Sequence, residues 1–312
     1  MYLRERLVYT GITLFGISLL LFSIIRLVPG DPASSYLGVR ATEEIREALI
    51  SKWGFDKPIY EQYARWLVNV LQGDLGTSTV SGRPAADVIL ERMPVTVELT
   101  VLGILINVLI SVPAGIVAAT KQNSKIDFSI LSGSLLGVSM PDFWMGIVLI
   151  LIFSGYLNVL PPSGFVPLSQ DVVSNLRYMI LPSLSLALVN AAENIRNTRS
   201  AMLEVLRQDF VRFARAKGLP ERLVIYKHAF RNALVQVVTV LGLQIGRILG
   251  GVVVIENIFA LPGMGSLFVL AFNMRDYAVV QGVAIYIAVL FILSNFIVDV
   301  LYMYMDPRIR LQ

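Results

Sequence analysis

The sequence predicts an all-α polytopic membrane protein with six transmembrane helices and both termini in the cytoplasm. A shortage of charge, six long apolar runs and a one-sided distribution of Lys and Arg predict it. Of 312 residues, 55% are hydrophobic and 15% charged, whereas a soluble domain carries about 25% charged residues. The mean hydropathy is +0.69. There is no cysteine, which excludes disulfides, thiolate metal sites and thiol catalysis.

About 20 apolar residues cross a bilayer as a helix. The runs lie at 7–25, 99–120, 128–160, 178–192, 233–255 and 278–298. Pro141 interrupts the third, where a missing donor and a clash with the preceding turn predict a kink. It reads as one kinked helix over about 126–156. Arg4 and Arg6 precede the first run, but no small-x-small cleavage site follows, so the run is read as a retained anchor. With both ends inside, the cytoplasmic pieces hold fifteen Lys and Arg, and the short outer loops only Arg177 and Arg275.

The chain divides into an N-terminal transmembrane helix (1–28), an extracytoplasmic helical cap (29–93), a membrane core (94–305) and a tail (306–312). In the cap, Ile45, Ala48, Leu49 and Trp53 recur at helical spacing, with Thr42 as N-cap. Pro58 opens a second helix with Ile59, Tyr63, Trp66, Leu67 and Val70 on one face. A Gly-rich connector at 73–78 leads to a third short helix over 84–92. The cap serves packing alone or docks an external partner; the residues leave both open.

Between runs four and five, residues 196–231 carry nine basic and three acidic side chains. A positive-inside loop explains the charge. It does not explain Leu203, Leu206, Phe210 and Phe213 at helical spacing, then an Ala/Gly elbow, then a second short helix from Pro220 to Arg231. That pattern suits a rigid lever docking into another protein.

The stretch DFVRFARAKGLPERLVIYKHAFRNA at 209–233 resembles the cytoplasmic coupling loop of the dipeptide/oligopeptide/nickel permease family of ABC importers. PGDP at 29–32, GDLGTS at 73–78, SMPDFW at 139–144 and ILPS at 180–183 agree. So do IENIFALPGMG at 255–265, RDY at 275–277 and DPR at 306–308, and together they follow the whole chain in order. The long cap is similar to the first permease of such pairs. The resemblance implies a type I ABC importer core of five helices with a coupling loop at 196–232. It also implies a second homologous permease, two ATPase subunits or domains, and an extracytoplasmic solute-binding protein, in the inner membrane of a bacterium. ATPase coupling is then carried by Arg212, Ala214, Arg215, Ala216, Lys217, Gly218, Leu219, His228, Arg231 and Asn232. Two departures stand out: His228 to Asn232 replace an Ile-x-Leu-Pro element, and Ala278 replaces a proline common after RDY.

No G-x-x-x-x-G-K-[ST] occurs, so no phosphate cradle is expected and ATP and Mg belong to partner chains; no cofactor, metal or nucleic acid is expected here. The single histidine, His228, cannot build a metal site or a Ser/His/Asp set with like residues, and an intramembrane aspartate pair is missing. Polar side chains inside spans are costly and become candidates for a translocation path: Glu98, Asn107, Asn190, Gln244, Arg247 and Asn295, with Asp299. The alternative for Arg247 is pairing with a carboxylate of another helix or subunit. Glu256, Pro262, Gly263, Gly265 and Asp276 are candidates for an outer gate or a binding-protein contact. A secondary transporter would show inverted repeats and paired broken helices; one interrupted run and no repeat argue against it. Peptides are the expected cargo, with nickel chelates and glutathione-like solutes as alternatives.

Overall fold

Every described residue that is not in a turn or connector is helical, apart from one isolated bridge between Thr77 and Pro84. The computed structural model describes residues 2–27 and 56–305. The expected cap helix at 43–53, the PGDP stretch and the tail lie outside the described residues. The helices are α1 (Tyr2–Leu27), α2 (Ile59–Leu71), α3 (Ala85–Thr120), α4 (Lys125–Ser139) and α5 (Asp142–Tyr156). They continue as α6 (Val172–Leu206), α7 (Asp209–Ala216), α8 (Glu221–Ile258), α9 (Met264–Asn273) and α10 (Tyr277–Met305). Among the described residues, α3, α6, α8 and α10 are long and apolar enough to cross a membrane, and α4 with α5 is a fifth candidate.

Three expectations change. The axes of α4 and α5 differ by 107°, so the third run is a broken pair rather than one kinked helix. Met140 is extended (ψ 131°) and Pro141 caps α5 from outside, which ends one ladder before the next begins. The helix expected at 84–92 is the start of α3, which runs on through Pro94 for 36 residues. At the far end, the helix expected from Pro220 to Arg231 is the start of α8, 38 residues long and π-helical over Val224–Phe230. Likewise α6 extends to Leu206, well past the apolar run. At about 1.5 Å per residue these helices exceed the roughly 30 Å hydrocarbon core by several turns. Hydropathy marks only the part of a helix that sits in lipid, so it underestimates helices that project into water.

The residues form two compact units, Met1–Pro94 with Met264–Leu290 and Val95–Gly263 with Phe291–Gln312. In the first, Pro58 caps α2, as its fixed φ favours, and Phe22 packs edge-on to Tyr63 at 5.2 Å. A separate core gathers Ala85 and Ile89 of α3, Met264, Leu267 and Ala271 of α9, and Val279, Val280 and Val283 of α10.

In the second unit α6 is the central helix. Asp171 caps it, accepting from Val173 N at 2.9 Å. The Ser174 hydroxyl, with that backbone N–H, holds the Asp171 carboxyl below the usual carboxylate range. Helix α3 lies against α6 through glycine: a Cβ on Gly103 would meet Leu186 Cβ at 3.4 Å, and one on Gly115 would lie 2.6 Å from Thr198 Cβ and 2.9 Å from the Ile195 carbonyl. The rising numbers on both sides make α3 and α6 parallel. Helices α4 and α8 run antiparallel to α6, with Gly137 against Ala192 and Gly251 against Leu186. An apolar core of Leu99, Leu149, Met179, Leu181, Leu186, Val252, Ile255 and Phe259 fills one end. A second cluster at the other end joins Ile116, Met202, Val205, Val211, Val224 and Ala233.

These contacts give a direct test. Gly115→Ala is expected to lower stability by about 1–3 kcal/mol through overpacking against Thr198 and a backbone carbonyl, while Gly133→Ala, with open space around it, is neutral or stabilising. Thermal unfolding midpoints in detergent compare the two.

Candidate functional site

Two groups of the sequence-derived residues come together, and both lie in the second unit. The first is the elbow after α6. Helix α7 is eight residues long and strongly amphipathic, burying Val211 and Ala214 while Phe213 is 68% exposed. It ends at Lys217, whose N–H donates to Phe213 O at 3.0 Å, and Gly218 follows at φ +73°. Glycine holds that left-handed geometry without the strain a Cβ brings, and Asn is the side chain that tolerates it best, so Gly218 is what turns the chain. Pro220 then starts α8. Across the elbow Arg215 grips Glu221 with two bonds of 3.2 and 2.6 Å. Arg212, Arg215, Ala216, Lys217 and Arg231 are exposed, Leu219 and His228 are half-buried, and Asn232 Nδ2 donates to His228 O at 2.7 Å. The result is a short, rigid, basic projection with exposed Phe213 and Tyr226 on it.

The second group is an amide cluster between α3, α6 and α8. Asn194 Nδ2 donates to Gln244 Oε1 at 2.7 Å and to Asn107 Oδ1 at 3.1 Å, with all three side chains buried. One turn along, Arg247 Nε donates to Asn190 Oδ1 at 3.4 Å and its other nitrogen pairs with Glu193. Arg247 is thus held by a carboxylate of another helix of the same chain. Three buried atoms in and beside these amides have no partner among the described residues: Asn107 Nδ2, Ser111 Oγ and Thr198 Oγ1. Glu98 Oε1 is likewise buried and unpartnered. Asn295, half-buried on α10, takes no part in the network, and the Asp299 side chain lies outside the described residues.

The other candidates are built into turns. Glu256 is fully buried and accepts from Thr96 Oγ1 at 2.6 Å. A Cβ on Gly263 would collide with its carboxylate, so a larger residue there would have to displace the Glu256 side chain under the 259–263 turn. Pro262 is half-buried within that turn, and Gly265 is buried at the start of α9 in the first unit. There too Asp276 is buried, accepting from Ser78 Oγ at 2.5 Å and more loosely from Val80 N at 3.4 Å.

Residues 111–311 match the binding-protein-dependent transport system inner membrane component family, and residues 1–100 match the N-terminal region of such membrane components. The chain belongs to that family. Its relatives include oligopeptide transport system permease protein AppB of Bacillus subtilis (strain 168), 40% identical over 99% of each chain. Di/tripeptide transport system permease protein DppB of Pseudomonas aeruginosa (strain UCBPP-PA14) is 41% identical over 96% of each chain. Dipeptide transport system permease protein DppB of Escherichia coli (strain K12) is 39% identical, covering 96% of this chain and 95% of that one. Among solved structures, a chain of the inward-facing MetNI methionine ABC transporter aligns with TM-score 0.59 at 15% identity, covering 70% of this chain and 96% of that one. That likeness is one of fold.

Within this family member, Glu193, Asn194, Asp127, Arg199 and Thr96 were not singled out in the sequence. Asn194 had a signal: it follows Asn190 by four residues and so shares its helix face. Asp127 follows Ser124 by the three residues of an N-cap arrangement, and the cap bond forms at 3.2 Å. Glu193 and Thr96 carried none, because their partners are distant in sequence.

The cluster predicts an ordering of costs. Asn194→Leu leaves Gln244 Oε1 and Asn107 Oδ1 buried without their donor and is expected to cost about 2 kcal/mol. Arg247→Ala removes a pair whose side chains are 56% and 38% exposed and is expected to cost under about 1 kcal/mol. Denaturation of the purified permease in detergent ranks them.

Proposed function

We propose that this chain is the first permease subunit of an ATP-driven, binding-protein-dependent importer of di- and oligopeptides. In this reading it crosses the bacterial inner membrane six times, with α1, the broken α4–α5 pair and the four long helices, and both termini are cytoplasmic. Residues 29–93 form its outer cap, 94–305 the core and 306–312 the tail. A second homologous permease completes the path, a solute-binding protein delivers cargo from outside, and two ATPase subunits bind ATP and Mg. The elbow supports the reading best: a rigid amphipathic helix with exposed Phe213 and a basic face is a docking lever rather than a loop.

The lever works without any chemistry on this chain. Closure of the ATPase pair would move α7, and α7 is fixed to the ends of α3, α6 and α8 by the Val211–Ala214–Val224 cluster and the Arg215–Glu221 pair. A displacement therefore reaches three spans as a rigid-body change. The amides and Arg247 border the path, and the 256–263 turn contributes to its outer closure. Peptide cargo follows from the names of relatives near 40% identity over nearly the whole chain.

The test is copurification and uptake. Tagged wild type, expressed with its neighbouring genes, is expected to bring down an ATPase and a second permease. The assembled complex is then expected to take up labelled di- or oligopeptides. Gly218→Val, which forces a β-branched residue to positive φ, is expected to abolish ATPase capture, while Gly218→Asn, tolerated there, retains most of it. Absence of an ATPase from the wild-type capture would overturn the importer reading.

A further inference from the structure

Helix α4 is attached to the rest of its unit in an unusual way. Its buried residues are Asp127, Ser134 and Gly137, at spacings of seven and three that form one stripe, and none is a large apolar side chain. Most of its large apolar residues point outward instead: Phe128 is 73% exposed, Ile126, Leu135, Leu136 and Val138 are exposed too, and Ile130 and Leu131 are half-buried. Lipid gives no hydrophobic push between helices, so association rests on small-residue contact and polar bonds. Near its C-terminus α4 has the first, Gly137 against Ala192 Cβ and the Leu188 carbonyl. At its N-terminus it has the second. Arg199 Nε donates to Asp127 Oδ1 and its terminal nitrogen to Oδ2, both at 2.7 Å. Asn123 N, at φ +63°, also donates to Oδ2 at 2.9 Å. The Asp127 side chain is 4% exposed and Arg199 20%.

This pair sits where the lever's motion would be handed on. Arg199 lies one turn before Met202 and nearly two before Val205, which belong to the apolar cluster that clamps α7 and the ends of α3 and α8. Helix α4 contributes nothing to that cluster. We infer that the Asp127–Arg199 pair is the strut that makes the broken α4–α5 span follow α6 when the lever moves, so that both are positioning residues for transport rather than for ATP hydrolysis. The inference rests on the importer reading above. Arg199 suits the role because its planar fork fixes direction as well as distance.

The experiment uses the complete importer in proteoliposomes, with its second permease, ATPases and loaded binding protein, and measures ATP hydrolysed per peptide taken up. Arg199→Lys and Asp127→Asn are expected to leave assembly and basal hydrolysis intact while raising that ratio about tenfold, within the span of usual coupling energies. The exchange Asp127→Arg with Arg199→Asp is expected to recover most of the loss. An unchanged ratio in the single variants overturns the strut. So does a failure of Arg199→Lys to assemble, which would make the pair an assembly element only. A wild-type complex without peptide-dependent hydrolysis would instead sink the importer reading itself.

Discussion

Everything in the larger unit depends on how α6 meets its neighbours without a hydrophobic driving force. In water, apolar burial would hold four helices together, but in a bilayer lipid tails are as good a surroundings for Leu as another helix. Cohesion then comes from close backbone approach and from polar bonds. Helix α6 shows both at successive levels: Leu186 against Gly103 and Gly251, Ala192 against Gly137, and Thr198 against Gly115. Between the last two lies Asn194 on Asn107 and Gln244, and just beyond Thr198 lies Arg199 on Asp127. One helix thus serves as the spine for a parallel neighbour and two antiparallel ones.

The sequence made the class of fold legible because apolar length is a strong signal for helices in lipid. The elbow was legible for a different reason: Gly218 before Pro220 is local chemistry, and the structure turns there with Gly218 at positive φ. What stayed hidden was helix extent and long-range pairing. The segment at 84–92 looked separate because Glu91, Arg92 and Pro94 interrupt the apolar run, yet α3 continues through them. Proline removes one bond of the ladder, and near a helix start that loss is small. At Pro141 the same residue breaks the span outright, since Met140 takes an extended conformation. Periodicity alone does not separate the two cases; the SMPD context of Pro141 and its distance from a helix start do.

The polar candidates divide by their surroundings rather than by residue type. Glu256 and Asp276 were singled out for charge at loop positions, and each is buried as the acceptor that fixes a turn, from Thr96 and from Ser78. Arg247 was singled out for charge inside a span, and it retains a large exposed fraction while bonding to Glu193 and Asn190. A buried carboxylate with a hydroxyl partner defines local backbone shape. Arg247 instead joins two helices, α8 and α6, while more than half of its side chain stays exposed.

The amide cluster adds an energetic argument about motion. A buried polar atom without a partner costs about 1–3 kcal/mol relative to its satisfied state. Three such atoms among the described residues, on Asn107, Ser111 and Thr198, lie at the junction of α3, α6 and α8. Cohesion at this junction therefore comes from the two bonds of Asn194 and from the glycine contacts, where Leu186, Ala192 and Thr198 meet Gly103, Gly137 and Gly115. Rigid-body switching requires interfaces whose alternative pairings differ by only a few kcal/mol. In the proposed importer, the small residues and amides along this spine are the contacts a rigid-body change would rearrange, and the Asp127–Arg199 fork is the one that would be carried along intact.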